Sequence, residues 1–163
     1  MTITRVSLVG FTLTGDEKQA LAADLIARFS EVEVGNTDPA AHVGFLVQFE
    51  SLAADDAYVG PAPMVDSGDG SRAVVVTTQV MAGPWNDEMK TDVFAYLQRE
   101  IRRHCDMPET GSGGDLWMTI TETPEGAWGY GGQPVSIDAL APLFPADRQA
   151  RIAAYLAERS AAD

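Results

Sequence analysis

The spacing of the apolar residues changes along the chain, and this change predicts a strand followed by a helix. Residues 2–12 are rich in β-branched and apolar types, which is typical of a strand. From Leu21 to Phe29 the apolar residues recur every fourth position, which places them on one face of a helix. Thr14 and Glu17 precede this stripe with the spacing of a capping box, so the helix is predicted to begin there.

The same order of elements restarts in the second half of the chain. Residues 73–81 predict a strand, Pro84 and Asn86 predict the start of a helix, and residues 116–122 predict a further strand. The other predicted elements are a strand at 43–50, a linker at 51–72, a loop at 108–115, a turn or short hairpin at 126–134 and a helix at about 147–159.

The second half of the chain repeats the pattern of the first at a constant offset, which indicates an internal repeat. Adding 71 residues maps Asp16 and Glu17 onto Asp87 and Glu88, and a Gly-x-x-Pro turn onto a second one. The sequence therefore predicts a single domain over residues 1–163. It consists of two β-α-β units, at about 2–66 and 72–137, and the C-terminal helix.

Two β-α-β units predict a four-stranded sheet with both helices on one face, because each unit joins parallel strands through a right-handed crossover. The other face is expected to expose apolar side chains such as those of 73–81, and a sheet must bury such a face. We therefore expect self-association. Two arrangements fit: a ferredoxin-like dimer, or a tautomerase-type trimer whose sheets close a barrel.

Composition narrows the classes of function. The 163 residues carry a net charge of -13, which disfavours nucleic acid as a partner. A single cysteine, Cys105, excludes an intramolecular disulfide, and no apolar run reaches the length of a membrane span. The first residues lack the pattern of a signal peptide, so we expect a soluble, cytoplasmic protein. His104 has no further ligands at suitable spacing, and no dinucleotide loop is found, so no metal or cofactor is predicted.

The fourth strand and the turn after it resemble a known family. Residues 116–124 read LWMTITETP, and residues 128–132 read WGYGG. They are similar to the W-V-x-I-T-E-x-P strand and glycine-rich turn of the tautomerase superfamily. The long two-unit branch, typified by cis-3-chloroacrylic acid dehalogenase and malonate semialdehyde decarboxylase, is the most similar. The resemblance implies an α+β fold of tautomerase type, a homotrimer, and chemistry at an amino-terminal proline.

The positions that match the family's functional residues have all changed. Thr2 stands at the position of the proline, whose secondary amine acts as base or acid in the family. By the same resemblance, the remaining matched positions are Phe29 for a histidine, Ala82 and Trp85 for two arginines, Thr119 for a tyrosine, and Tyr130 near a glutamate. A methyl group and an indole cannot hold a carboxylate as two guanidinium groups do, so the family's usual reaction is not expected.

The candidate site combines these positions with neighbouring aromatic residues. Thr2 and Tyr130 are the catalytic candidates, since an amine or a phenol can move a proton. The predicted pocket residues are Phe29, Ala82, Trp85, Thr119 and Tyr58. An aromatic, apolar pocket of this kind favours a neutral or aromatic ligand. The other cations near strand starts, Arg5 and Arg72, are expected to be solvated or paired.

Two functions fit the pattern. One is a divergent enzyme, isomerase-like or lyase-like, that acts on a small enolisable carbonyl compound without a catalytic proline. The other is a non-catalytic relative that keeps the trimer and binds a small molecule or a partner protein.

Overall fold

A computed structural model describes residues 1–64, 72–109 and 115–162 of the chain. The predicted linker at 51–72 and loop at 108–115 lie partly outside these ranges. The predicted unit boundary at residue 66 lies wholly outside them.

The predicted strands and helices occur in the predicted order, with small shifts at their ends. A short hairpin within the predicted linker and a short helix before the C-terminal helix were not predicted. Strands are β1 (Thr2–Val9), β2 (Phe45–Leu52), β3 (Tyr58–Val59), β4 (Ala62–Pro63), β5 (Ala73–Met81), β6 (Leu116–Thr123), β7 (Gly129–Tyr130) and β8 (Gln133–Pro134). Helices are α1 (Gly15–Val34), α2 (Asp87–His104), α3 (Ile137–Leu140) and α4 (Ala146–Ala162), and short 3-10 helices cover Pro39–Gly44, Ala54–Asp56 and Ala141–Leu143.

Four strands form the main sheet in the order β2-β1-β5-β6. β1 and β2 are parallel, as are β5 and β6, while β1 and β5 are antiparallel. Each parallel pair is one β-α-β unit, and the two units meet at the central antiparallel pair. The predicted α+β fold, with its tandem β-α-β repeat, is confirmed.

The structure keeps the offset of the sequence repeat. Across the central pair, Thr2 lies opposite Val80, and Ala73 lies opposite Val9. Adding 71 to Thr2 gives Ala73, and adding 71 to Val9 gives Val80. The offset therefore maps one pair onto the other, and an approximate twofold axis relates the two units. The hairpin β3–β4 likewise corresponds to β7–β8 at the same offset.

The ends of α1 are fixed by local chemistry. Thr14 caps the helix, and the Glu17 carboxylate accepts a hydrogen bond from the Thr14 backbone N–H, which completes the predicted capping box. Gly35 ends the helix with φ at 67°. A Cβ at residue 35 would lie 2.7 Å from Pro145 Cγ, so both the backbone conformation and the close approach require glycine.

Both long helices cover one face of the sheet. Apolar side chains of β1 and β5 that point to this face are fully buried, among them Val6 and Val76. They pack with Leu25 of α1 and Leu97 of α2 in the principal core. The apolar stripes read from the sequence therefore face the sheet, as amphipathic helices do.

The opposite face, called the open face below, is more polar than predicted. The apolar residues of β5 at positions 74, 76 and 80 are buried in the core under the helices. The residues of this strand that are exposed are Thr77 and Gln79. Val75 points to the open face and is half-buried, so the expectation that 73–81 would expose apolar side chains holds for this residue but not for those at 74, 76 and 80, because successive side chains of a strand alternate between faces. Exposed apolar groups occur instead on the outer strands, at Leu46 and Trp117.

The C-terminal segment packs at the end of the sheet where β1 begins. Its buried residues Ile137, Phe144 and Ile152 form a second apolar cluster with Met81 and Trp128. Two arginines of α4 also bind it to the rest of the domain through hydrogen bonds. The Arg148 guanidinium donates to the Val32 carbonyl, with Nη2 at 2.7 Å, and Arg151 Nε donates to the Pro84 carbonyl at 2.8 Å.

Cys105 lies at the other end of the sheet and is 1% exposed. Burial raises the pKa of its thiol to about 11, so the group is neutral at physiological pH. The Arg72 guanidinium donates to the Cys105 carbonyl at 2.8 Å and stacks on the Phe11 ring, so Arg72 is paired. Among the described residues, no helix is both long and apolar enough to cross a bilayer.

Candidate functional site

A buried carboxylate joins the start of β1 to the end of α1. Thr2 is 1% exposed, and its hydroxyl donates to Glu33 Oε2 at 2.7 Å. The α-ammonium group of Met1 donates to Glu33 Oε1 at 2.6 Å. The Glu33 side chain is completely buried. A carboxylate near a helix C-terminus is disfavoured by the helix dipole, and these two donors offset that cost.

Glu33 was not among the residues predicted from the sequence. Its spacing did carry a signal, because Leu25, Phe29 and Glu33 continue one apolar stripe at every fourth position. A charged residue on such a stripe is buried, and a buried carboxylate needs a partner. The partners could not be read from the sequence, because the contact between the end of α1 and the start of β1 is a tertiary contact.

Beside Met1 lies a cavity of about 220 Å³, called the N-terminal pocket below. Four parts of the chain form it: the start of the chain, the end of α1 with the 3-10 helix after it, the hairpin β7–β8, and the C-terminal segment. Its lining consists of Met1, Val34, Ala41, Val43, Gly44, Phe45, Tyr130, Leu140, Leu143 and Phe144.

The chemistry of the N-terminal pocket is almost wholly apolar. Of the described residues that line it, Tyr130 alone carries a polar group on its side chain, and none carries a charged side chain. The α-ammonium group of Met1 is charged, but it is paired with Glu33. Val43, Tyr130 and Leu143 are 77%, 61% and 68% exposed, so they form an open, apolar rim. Such a pocket can desolvate an apolar ligand and offer one hydroxyl for orientation.

The structure distributes the predicted site residues over four places. Tyr130 lines the N-terminal pocket, and Thr2 lies next to it through the contact that Met1 and Thr2 share with Glu33. Phe29 and Trp85 pack against each other in the principal core, with ring centroids 6.4 Å apart. Ala82 is also buried, so these three positions do not line the pocket.

The last two predicted pocket residues lie elsewhere. Thr119 is exposed and lies on the open face, because its neighbours in β6 at 118 and 120 face the helices. Tyr58 is 64% exposed on the hairpin β3–β4. Residues next to this hairpin, Ala57 and Met64, pack with Val9 and therefore at the far end of β1. Within one copy of the chain, neither residue can reach the N-terminal pocket.

One group of side chains has the composition of a metal site. Ligand atoms of Asp24, Glu100 and His104 lie within 4.8 Å of one another on α1 and α2. Arg103 already occupies the space between the two carboxylates, since Nη2 donates to Asp24 and Nε donates to Glu100, each at 2.7 Å. A cation would have to displace this guanidinium, so the cluster is an ion-pair network between the helices.

Comparison with solved structures shows which fold these elements define. The chain has the tautomerase fold in its fused, two-unit form. A native fused 4-OT is 22% identical, with a TM-score of 0.65, over 85% of this chain and 98% of that chain. A fused 4-OT described as a symmetric trimer is 19% identical, with a TM-score of 0.62 over the same shares of both chains.

A third solved structure, that of Pt0534 inactivated by 2-oxo-3-pentynoate, is 14% identical with a TM-score of 0.63, over 85% of this chain and 98% of that one. No protein-family model matches the sequence, and no curated protein matches it. The likeness is therefore one of fold.

Proposed function

We propose that the chain binds a small, neutral, enolisable carbonyl compound in the N-terminal pocket, without catalysis by a proline. The observation that carries the proposal is the lining of the pocket, which offers apolar contacts, one phenol and no cationic side chain among the described residues. The α-ammonium group of Met1 is paired with Glu33, so an anion in the pocket would meet no free cation, and its burial would cost on the order of several kcal/mol, as for an unpaired charge. A neutral compound carries no such penalty.

Tyr130 is the group that would recognise the carbonyl. Its hydroxyl can donate a hydrogen bond to a carbonyl oxygen. It can donate a stronger one to the enolate that forms when solvent water, admitted by the open rim of the pocket, takes a proton from the neighbouring carbon. Because the donor favours the enolate, the same contact that orients the ligand would also accelerate enolisation. The Thr2 hydroxyl is bound to Glu33, so it plays no part in this step.

One of the similar structures supports a carbonyl compound as the ligand, but its ligand is charged whereas the one proposed here is neutral. Pt0534 is inactivated by 2-oxo-3-pentynoate, a compound that combines a keto group with a carboxylate. In this chain the positions that resemble the family's two arginines are Ala82 and Trp85, which are 8% and 5% exposed. We infer that this chain still binds a carbonyl compound, and that its ligand need not carry a carboxylate.

We also infer that the protein is a homotrimer. Two of the fused 4-OT neighbours are described as symmetric and asymmetric trimers. Two of the exposed apolar side chains, Leu46 and Trp117, lie on the outer strands, where such contacts could cover them. With both long helices on one face, the open faces of three copies would turn towards a common axis.

A second candidate function is binding without turnover. It is favoured by the exposure of Tyr130, since a phenol that is 61% exposed is less effective as an electrostatic catalyst than a buried one. The two candidates share the pocket and the ligand, and they differ in whether the protein accelerates the exchange between enol and ketone.

Ketonisation of the enol form of methyl phenylpyruvate separates these functions. Its absorbance in the ultraviolet decays as the ketone forms. We expect the wild-type protein to accelerate this decay over buffer, and Tyr130→Phe to lose roughly tenfold or more of the acceleration, because the donor to the enolate is gone. Tyr58→Phe is the matched control, since it removes a hydroxyl from the equivalent hairpin far from the pocket and should change nothing.

Each outcome of this experiment has a clear meaning. If the wild type binds the ester but leaves the decay at the rate of buffer, the non-catalytic function is correct. If the wild type neither binds the ester nor accelerates the decay, both functions are wrong.

A further inference from the structure

The centre of the open face carries an arginine without an acidic partner. Arg5 is exposed in the middle of β1, directly opposite Thr77 of β5. Within the described ranges, no carboxylate lies within 4.0 Å of its guanidinium, although the chain has 24 acidic and 11 basic residues. Six other arginines do pair with carboxylates, namely Arg28, Arg99, Arg102, Arg103, Arg148 and Arg151. Of the two states expected for Arg5, solvated or paired, the structure has the solvated one.

A small cavity of about 140 Å³ lies beside this arginine. It is lined by Ile3, Arg5, Thr77, Gln79 and Thr121, which come from three adjacent strands. Its polar groups are a guanidinium, two hydroxyls and one amide, all of which can donate hydrogen bonds. No carboxylate lies among these lining residues. A guanidinium beside several neutral donors is the chemistry that recognises an oxyanion.

We propose that this cavity, called the Arg5 site, binds a small tetrahedral oxyanion such as inorganic phosphate. The guanidinium supplies the charge and two parallel donors, while Thr77, Gln79 and Thr121 can donate to the remaining oxygens. The site is separate from the N-terminal pocket, which is lined by other residues and carries no cationic side chain. The protein then has two ligand sites of opposite character, one for a neutral compound and one for an anion.

The Arg5 site also has a consequence for assembly, which rests on the proposed trimer. If the open faces of three copies turn towards a common axis, three guanidinium groups approach one another and repel. An oxyanion bound among them removes this repulsion. Phosphate should therefore stabilise the assembled protein more than chloride does at the same ionic strength.

Thermal unfolding tests the Arg5 site. The midpoint is measured at fixed protein concentration and pH 7, in chloride and in low-millimolar phosphate at matched ionic strength. We expect phosphate to raise the midpoint of the wild type by about 3 °C, as ligation of a native state at a few times its Kd does. Arg5→Gln should lose this rise. Arg159→Gln, which removes an equal charge from the exposed end of α4, should retain it.

Sedimentation velocity in the same buffers separates the site from the assembly. A protein that does not sediment as a trimer, yet shows a rise that depends on Arg5, would contradict the trimer and support the site. An equal rise in the wild type and in Arg5→Gln would overturn the Arg5 site, because phosphate would then act only as a general stabilising salt.

Discussion

Glu33→Ala is expected to lower the free energy of unfolding by roughly 3 kcal/mol, the usual scale for removing one partner of a buried ion pair. The substitution leaves the Met1 ammonium and the Thr2 hydroxyl without their acceptor, and it leaves a space at the end of α1. Urea denaturation followed by circular dichroism measures the loss. The protein concentration must be held constant, because the stability of an oligomer depends on it.

The matched control is Glu31→Ala, two residues earlier on the same helix. The Glu31 side chain is 54% exposed and pairs with Arg28 at the surface, so the change should cost less than about 1 kcal/mol. Glu33→Gln keeps the shape but not the charge and should fall between the two. If Glu33→Ala costs no more than Glu31→Ala, the buried carboxylate does not hold the start of β1 to α1.

The second large effect concerns the N-terminal pocket. Ala41 lines the cavity from the 3-10 helix Pro39–Gly44, and a phenyl ring at this position would occupy the space that the ligand needs. We expect Ala41→Phe to weaken the binding of methyl phenylpyruvate at least tenfold, measured by isothermal titration calorimetry. The fold should survive, because the cavity gives the new ring room without overpacking the core.

The neighbouring residue offers a matched control for this prediction. Ala40 lies in the same 3-10 helix but is exposed and does not line the cavity. Ala40→Phe adds the same ring to the surface and should leave the affinity unchanged. Equal affinities for wild type and both variants would show that the ester binds elsewhere.

Much of the fold could be predicted from local sequence patterns. The capping box at Thr14, the apolar stripe of α1 and the constant offset of 71 residues each depend on residues close in sequence or on a repeated pattern. The parallel pairing within each unit then follows from the helix that connects its two strands. These features predict the two parallel pairs, but not the antiparallel pairing of β1 with β5 that joins them.

The open face was predicted less well, because a strand's composition does not say which of its residues point to which side. In β5 the apolar residues at 74, 76 and 80 all point to the helices, which leaves Thr77 and Gln79 exposed. The pleat fixes this alternation, but the register that assigns a face to each residue depends on the helices that pack on it.

The candidate site was predicted only in part, because segments far apart in sequence build it. Tyr130 was predicted from the resemblance, and it lines the pocket. Val34 and Leu140 meet at the same cavity although more than a hundred residues separate them. The C-terminal segment brings Leu140, Leu143 and Phe144 to the pocket through tertiary packing, which no local pattern reveals. Trp85 and Phe29, proposed as pocket residues, lie in the core instead, where large aromatic rings bury the most apolar area.

The most direct measurement compares two ligands that differ in one charge. Methyl phenylpyruvate and phenylpyruvate share their carbon skeleton and keto group, and only the second carries a carboxylate. Titration calorimetry of both compounds at pH 7.5 should show the ester binding at least tenfold more tightly, because the N-terminal pocket offers no cationic side chain to the anion. Equal or tighter binding of phenylpyruvate would contradict this prediction, and would mean that a cation such as the Met1 ammonium group meets the carboxylate despite its pairing with Glu33.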